Sequence, residues 1–253
     1  MLMDTGAIKL EFCRKGNFSG SFRGDAPVDL FEPVTLFYTG QVKVLKTGSK
    51  ITSAVSGNIF IKCYFYHGLF SRVRHLFRLS RAESSFHSAL AILNTGVPTP
   101  EPLGYLREKR GLLPCRELLF TKALPAETLF MNAFIRQTPE EAIEKLAECM
   151  AVLHENGIEH GDMSLRNFYL ASSGQAGVID LDGCRIFPKA LSFSTRELEM
   201  ARVISSAAKL TDLFSLSEFR ERFLEAYKKR CGIDLTTPSL DARINYLYHR
   251  RRA

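Results

Sequence analysis

His160-Gly161-Asp162-Met163-Ser164-Leu165-Arg166-Asn167 is the stretch on which the reading of this chain turns. It has the form His-x-Asp, four residues, Asn, and it is followed by an apolar run ending in Val178-Ile179-Asp180. A helical pattern running into Asn156-Gly157 precedes it. Phosphoryl transfer asks for little covalent chemistry from a protein. It asks for a carboxylate at the attacking hydroxyl and for oxygen ligands that hold Mg²⁺ against nucleotide phosphates. In that order of residues Asp162 is the carboxylate at the hydroxyl, and Asn167 and Asp180 are the metal ligands. The competing reading makes Asp162 and Asn167 plain turn residues, which polar loops supply by chance.

What lies upstream decides between the two. From Gln41 the texture is β: Gln41 to Leu45 alternates, Lys46 to Lys50 turns, Ile51 to Val55 returns, and Ile59-Phe-Ile-Lys62-Cys-Tyr-Phe65 runs as a third strand. Lys62 sits alone on that apolar strand. It is either the lysine that reaches the α- and β-phosphates of a nucleotide or an edge-strand lysine facing solvent. The turn at Gly48, Ser49 and Lys50 either folds over phosphates through its backbone N–H groups or is an ordinary hairpin turn. Phe70 to Leu93 carries Arg72, Arg74, Arg78 and Arg81, then Glu83, then apolar residues at helical spacing, and Gly96-Val-Pro98-Thr-Pro100 ends it. Glu83 is the carboxylate placed to orient the lysine, or a solvated glutamate at the favourable end of a helix dipole. Pro102 to Leu106 and Arg116 to Thr121 read as two more strands, and Thr121 to Pro125 as a linker whose backbone would meet adenine.

The second half is helical. Thr138-Pro139-Glu140-Glu141 marks a helix start, and Ile143, Leu146, Ala147, Met150 and Leu153 form its apolar stripe. Ser194 with Glu197 and Ser215 with Glu218 have capping-box spacing. Thr237-Pro238 opens a last helix ending in His249-Arg250-Arg251-Arg252, where positive charge suits the dipole. Residues 1–33, broken by Gly16, Gly20, Gly24 and Pro27, read as a short hairpin or an N-terminal extension.

Composition sets outer limits. The chain has 253 residues, 45% of them hydrophobic, enough for one large domain or two lobes. It has no tryptophan, and 19 phenylalanines supply the aromatic core. A net charge of +7 favours an anionic partner or is simple solubility. Lysines and arginines are dispersed without a nucleic-acid module, so no nucleic-acid partner is expected. Six scattered cysteines with no Cys-x-x-Cys pair argue for a reducing compartment and against a zinc site. The N-terminus lacks a signal-peptide pattern, and no apolar run is long enough to span a membrane.

Taken together, Ile59 to Lys62, Ser80-Arg-Ala-Glu83 through Leu93, Gly96 to Pro100, Leu153 through Asp162 to Asn167, Ile179-Asp-Leu-Asp182 and Arg196 resemble the bacterial lipopolysaccharide kinase (Kdo/WaaP) family. The resemblance covers about residues 40 to 227. It implies an α+β, bilobal protein-kinase-like fold with a five-stranded antiparallel N-lobe sheet, one helix beside that sheet, and a mostly helical C-lobe. The expected boundaries are 1–33 for the extension, 34–120 for the N-lobe, 121–125 for the hinge and 126–253 for the C-lobe.

It also implies ATP- and Mg²⁺-dependent phosphorylation of a sugar hydroxyl, on heptose or 3-deoxy-manno-octulosonic acid, in the lipopolysaccharide inner core. Asp162 is then catalytic, Asn167 and Asp180 bind Mg²⁺, and Lys62, Glu83, Gly48 and Ser49 bind ATP. The implied partners are ATP and an anionic core glycolipid, in the cytoplasm with peripheral contact at the inner membrane. Three departures stand out. Ser164 occupies the place of the protein-kinase lysine, Asp-Leu-Asp-Gly183 replaces Asp-Phe-Gly, and the family glutamate, counted back from Gly96, falls nearer Ser85 than Glu83. Two other functions remain: a kinase for another small molecule or a protein, and a nucleotide-binding pseudokinase or scaffold.

Overall fold

The computed structural model describes residues 9–25, 29–76, 80–128, 139–208 and 215–250. The expected Thr138 cap, Arg78, Pro27 and the Arg251-Arg252 tail lie outside the described residues. By its contacts the chain divides into two compact units. One comprises Met1–Leu90 with Pro100–Leu124, the other Ala91–Thr99 with Pro125–Ala253.

The first unit is built on one antiparallel sheet. Its strands are β1 (Leu10–Lys15), β2 (Phe18–Arg23), β3 (Lys43–Thr47), β4 (Ile51–Ser56), β5 (Ile59–Phe65), β6 (Pro102–Arg110) and β7 (Leu113–Lys122). They lie in the order β1-β2-β6-β7-β5-β4-β3. The sheet therefore has seven strands where five were expected. The additional pair is the β1–β2 hairpin, which joins the edge of β6 with Gly20 opposite Leu106. A Cβ on Gly20 would stand 1.9 Å from the Tyr105 carbonyl oxygen, so only glycine lets the two backbones approach there. Phe18 and Phe22 pack against the core behind it.

The expectation of one helix in this unit is also corrected, because the sheet has two apolar faces to cover. Alternate residues of a strand point to opposite faces. Ile61, Cys63, Leu118 and Phe120 face α1 (Phe31–Tyr38) through Leu30 and Val34. Tyr64 and Leu119 face α3 (Arg81–Leu93) through Ala82 and Phe86. Between β5 and α3 lies a short helix, α2 (Leu69–Leu76), packed against β7.

Among the described residues the second unit holds four α-helices: α4 (Pro139–Glu155), α5 (Phe193–Ala207), α6 (Leu216–Cys231) and α7 (Pro238–Arg250). The expected stripe of α4, Ile143, Leu146, Ala147, Met150 and Leu153, is fully buried. Between α4 and α5 the chain makes four short strands, β8 (Ile158–Glu159), β9 (Phe168–Leu170), β10 (Ala176–Val178) and β11 (Arg185–Ile186), paired β9 with β10 and β8 with β11. Ser215 caps α6 as its spacing predicts, accepting from Glu218 N at 3.2 Å. The cap of α5 is Ser192, not Ser194: its hydroxyl accepts from Thr195 N at 3.3 Å. Glu197 does not close a capping box. It is buried and accepts hydrogen bonds from the Thr237 and Ser239 hydroxyls at the start of α7.

Candidate active site

In the second unit the His-x-Asp loop is laced to the strand pair that follows it. Asn167 Nδ2 donates to the Asp162 carbonyl oxygen at 2.7 Å. Ile179 N donates to the Asn167 carbonyl oxygen at 2.8 Å. The His160 ring Nε2 meets the Ile179 carbonyl oxygen at 2.9 Å, and since a carbonyl only accepts, that nitrogen carries the proton. The three bonds bring Asp162, Asn167 and the residue before Asp180 into one cluster. Asp162 and Asp180 are exposed, while Asn167 is buried. Asp180 has φ 63° and ψ 63°, and it is the one non-glycine residue with positive φ among those described. Left-handed backbone costs little for aspartate but is rare, and such departures gather where a side chain must be aimed.

Gly161 is required by the same packing. Its φ is +84°, and a Cβ there would come 2.2 Å from the Gly183 carbonyl oxygen. The glycine of His-Gly-Asp thus lets the loop lie directly on the Asp180 to Gly183 turn.

Beneath the loop stands a residue that the motif gives no hint of. The fully buried Glu199 of α5 accepts from His160 N at 3.0 Å and from Gly161 N at 2.8 Å. His154 Nε2 lies 3.4 Å from Glu199, close enough for electrostatic attraction though not a well-formed hydrogen bond. The other ring nitrogen of His154 shares a hydrogen bond with the Tyr227 hydroxyl at 2.9 Å, and Arg196 donates to that hydroxyl at 2.8 Å. Burial alone would raise the Glu199 carboxyl. The His154 ring, the Gly161 N–H and the His160 ring outweigh it and hold the group below its ordinary value. A signal for Glu199 was present. It lies on the α5 stripe with Val203 and Ala207, at i+4 and i+8, and a carboxylate on an apolar stripe needs internal partners.

In the first unit, Lys62 and Tyr64 point to the same face of β5, the face that α3 covers. Lys62 Nζ lies 5.5 Å from the centre of the Tyr64 ring. Glu83, on α3, accepts from the Tyr105 hydroxyl at 2.9 Å. Ser85 is buried. Gly48 and Ser49 form the β3–β4 turn, where the Ser49 carbonyl accepts from His67 Nε2 at 2.5 Å. The buried carboxylate of Glu117, on β7, was not singled out by sequence. It accepts from Arg81 N at 2.7 Å and from the Tyr66 hydroxyl at 2.8 Å, so it anchors the start of the helix that carries Glu83.

The donor set of the loop suits a hard dication. Because Asn167 Nδ2 is spent on Asp162, its Oδ1 is the end left for a cation, and Asp180 adds an exposed carboxylate. Oxygen ligands few in number, with water completing the shell, are what Mg²⁺ takes.

The sequence model of the lipopolysaccharide kinase (Kdo/WaaP) family matches residues 56–213, more than half of the chain and the whole of this loop. The chain belongs to that family. Among curated relatives of this lipopolysaccharide kinase family member, a 3-deoxy-D-manno-octulosonic acid kinase of Vibrio parahaemolyticus is 27% identical over 42% of this chain and 44% of its own. Its counterpart in Vibrio vulnificus strain YJ016 is 25% identical over 56% and 59%. The chain thus spans about half the length of these two relatives. The counterpart in Xylella fastidiosa strain 9a5c is 23% identical over 82% and 87%. Among solved structures, WaaP in complex with acyl carrier protein matches with a TM-score of 0.61 at 18% identity, over 88% of this chain and 96% of that one. A glucosamine kinase bound to glucosamine, ADP and inorganic phosphate matches with a TM-score of 0.50 at 12% identity, over 96% and 88%. These two likenesses show the α+β kinase fold.

Proposed function

We propose that this family member transfers the γ-phosphoryl group of ATP to a hydroxyl of 3-deoxy-D-manno-octulosonic acid in the lipopolysaccharide inner core. The names of the relatives support that sugar over heptose. One observation carries the reading: the hydrogen bonds that tie Asp162, Asn167 and Ile179-Asp180 into a single cluster, seated on Glu199.

In this reading the exposed Asp162 carboxylate accepts the proton of the attacking sugar hydroxyl. That oxygen bonds to the γ-phosphorus, and the bond to the leaving ADP oxygen breaks. Asn167 Oδ1 and the Asp180 carboxylate would hold Mg²⁺, which neutralises phosphate charge when bound. Lys62 is assigned to the ATP phosphates, Glu83 to orienting that lysine, and the Gly48-Ser49 turn and the backbone of 121–125 to the phosphates and adenine. His160 holds the loop through Ile179 and takes no part in proton transfer.

The test is purified protein with ATP, Mg²⁺ and a lipid A precursor bearing 3-deoxy-D-manno-octulosonic acid, read by mass spectrometry. The expected product carries one added phosphoryl group and is absent with Asp162→Ala. Phosphorylation of a heptose-only acceptor instead, or ATP binding with no acceptor phosphorylated, would refute the assignment. Among the described residues no helix is long and apolar enough to cross a membrane.

A further inference from the structure

The helix α2 packs on β7 by one side and carries an exposed apolar stripe on the other. Leu69, Phe70 and Val73 are 70%, 82% and 40% exposed. At 3.6 residues per turn these three fall within about 100° of one another. Arg72 and Arg74 flank that apolar stripe, one on each side. The opposite side is anchored: His75 stacks on Tyr66 with ring centroids 3.9 Å apart.

Beside the helix is a cavity of about 320 Å³ whose lining includes His67, Arg72, Lys109, Arg110 and Arg116. Among the described residues its one acidic lining residue, Glu108, is spent on Arg116 at 3.3 Å and on the Tyr38 hydroxyl at 2.8 Å. Arg72 Nε is buried and meets no acceptor among the described residues. The Cys115 thiol is the neighbour of this guanidinium, a weak partner, and a buried N–H donor without a full acceptor is costly unless a ligand supplies one. The hairpin tip that follows Lys109 and Arg110 ends in Leu112, which is 85% exposed.

We propose that α2, this cavity and the Leu112 tip form a docking surface for an anionic lipid bilayer. Leu69, Phe70 and Val73 enter the boundary between headgroups and acyl chains. Arg74 and Lys109 face the headgroup layer, and a lipid phosphate occupies the cavity against Arg72. Apolar residues flanked by arginines are the arrangement of an in-plane interfacial helix. An acidic soluble protein would satisfy the cations, but it would leave unexplained why the largest exposed ring, Phe70, stands between them. The net charge of +7 adds long-range attraction to a negative surface. The proposal stands apart from the kinase reading, because bilayer binding is measured without nucleotide or acceptor.

The chain has no tryptophan, so Phe70→Trp gives a single reporter. Full-length protein is mixed with vesicles of phosphatidylglycerol and phosphatidylcholine, or of phosphatidylcholine alone. With the anionic vesicles the F70W emission shifts to the blue and is quenched by brominated acyl chains; with phosphatidylcholine alone it does not shift. In co-sedimentation, Leu69→Ser with Phe70→Ser lowers the partition coefficient at least about tenfold. Arg72→Gln and Arg110→Gln each lower it about fivefold, and all variants melt as the parent does. A lost melting transition in Arg72→Gln leaves Arg110→Gln to carry the test. Unchanged F70W emission on vesicles that sediment the protein would overturn the proposal. So would L69S/F70S binding equal to the parent's, or an emission shift produced by an acidic soluble protein such as acyl carrier protein and not by vesicles.

Discussion

The carboxylate of Glu199 accepts a hydrogen bond from Gly161 N at 2.8 Å, one residue before the proposed catalytic Asp162. It also takes the His160 N–H, so two consecutive backbone donors of the loop converge on one buried side chain. Glu199→Gln keeps the volume but turns an amide group toward one of those donors. The expected result is a kcat reduced roughly tenfold to a hundredfold through misplacement of Asp162, with the KM for ATP unchanged. Steady-state kinetics check it. A rise in KM with kcat intact would mean that Glu199 acts elsewhere.

The same residue predicts an acid limb of stability. Its folded pKa lies below the unfolded value of roughly 4.3, so the unfolded chain binds the proton more readily. Its contribution is therefore complete above that unfolded value and is lost as pH falls through the lower folded value. The titratable and charged groups facing it are His154 from α4, His160 from the loop and Arg202 from α5. Urea unfolding between neutral pH and pH about 3 should show this limb in the parent and a shallower one in Glu199→Gln. Equal slopes in the two proteins would remove the argument.

Asp162 and Asn167 should separate by their dependence on metal. Loss of a general base costs about 10²–10⁴ in rate, so Asp162→Asn should lose that much of kcat while still binding ATP. Asn167→Ala loses the bond to the Asp162 carbonyl and, with it, the oxygen proposed as a metal ligand. It should therefore need a higher Mg²⁺ concentration for half-maximal rate, which Asp162→Asn should not. Magnesium titrations of both variants decide it.

Lys62 shares a sheet face with α3, and its proposed role makes nucleotide affinity the readout. A charge-assisted hydrogen bond contributes about 1.5–3 kcal/mol, so Lys62→Met should weaken ATP binding roughly tenfold to a hundredfold. Glu83→Gln should weaken it less, because the role proposed for Glu83 is to orient the lysine and its carboxylate already accepts from Tyr105. Calorimetric titration with ATP and Mg²⁺ measures both. If Lys62→Met binds as the parent does, the lysine is an ordinary strand residue.

How far the sequence foretold this depends on the range of the interaction. Ile59 to Phe65 was readable as a strand because alternation is local, and the stripe of α4 because helical spacing is local. The Asp162, Asn167 and Asp180 cluster was readable because its order along the chain is distinctive. The β1–β2 hairpin was not placed in the sheet, because what joins it there is the pairing of Gly20 with Leu106, a contact between residues far apart. The left-handed turn at Asp180 was missed because aspartate, unlike glycine, does not announce it. Glu199 and Glu117 were overlooked for a related reason. The stripe of α5 marks Glu199 as a carboxylate that needs internal partners, but in both cases the backbone donors served come from other segments and are not named by local sequence.

Glu117 gives the strongest prediction about stability. Its carboxylate meets Arg81 N and the Tyr66 hydroxyl on one oxygen and Arg107 at 3.2 Å on the other, with no exposure to water. Glu117→Ala would leave buried N–H and O–H groups without an acceptor and Arg107 without its partner. Removing one member of a buried ion pair costs about 3–5 kcal/mol. Against a total stability of about 5–15 kcal/mol, that is enough to unfold a large fraction of the protein near physiological temperature. Arg107→Gln should cost less than half as much, since Arg107 is partly exposed and the remaining donors to Glu117 stay in place. Glu117→Gln should fall between the two, because an amide oxygen still accepts from the start of α3 but without the charge. Chemical denaturation of the three variants tests the order. A loss below about 1 kcal/mol for Glu117→Ala would show that the start of α3 is held by other contacts.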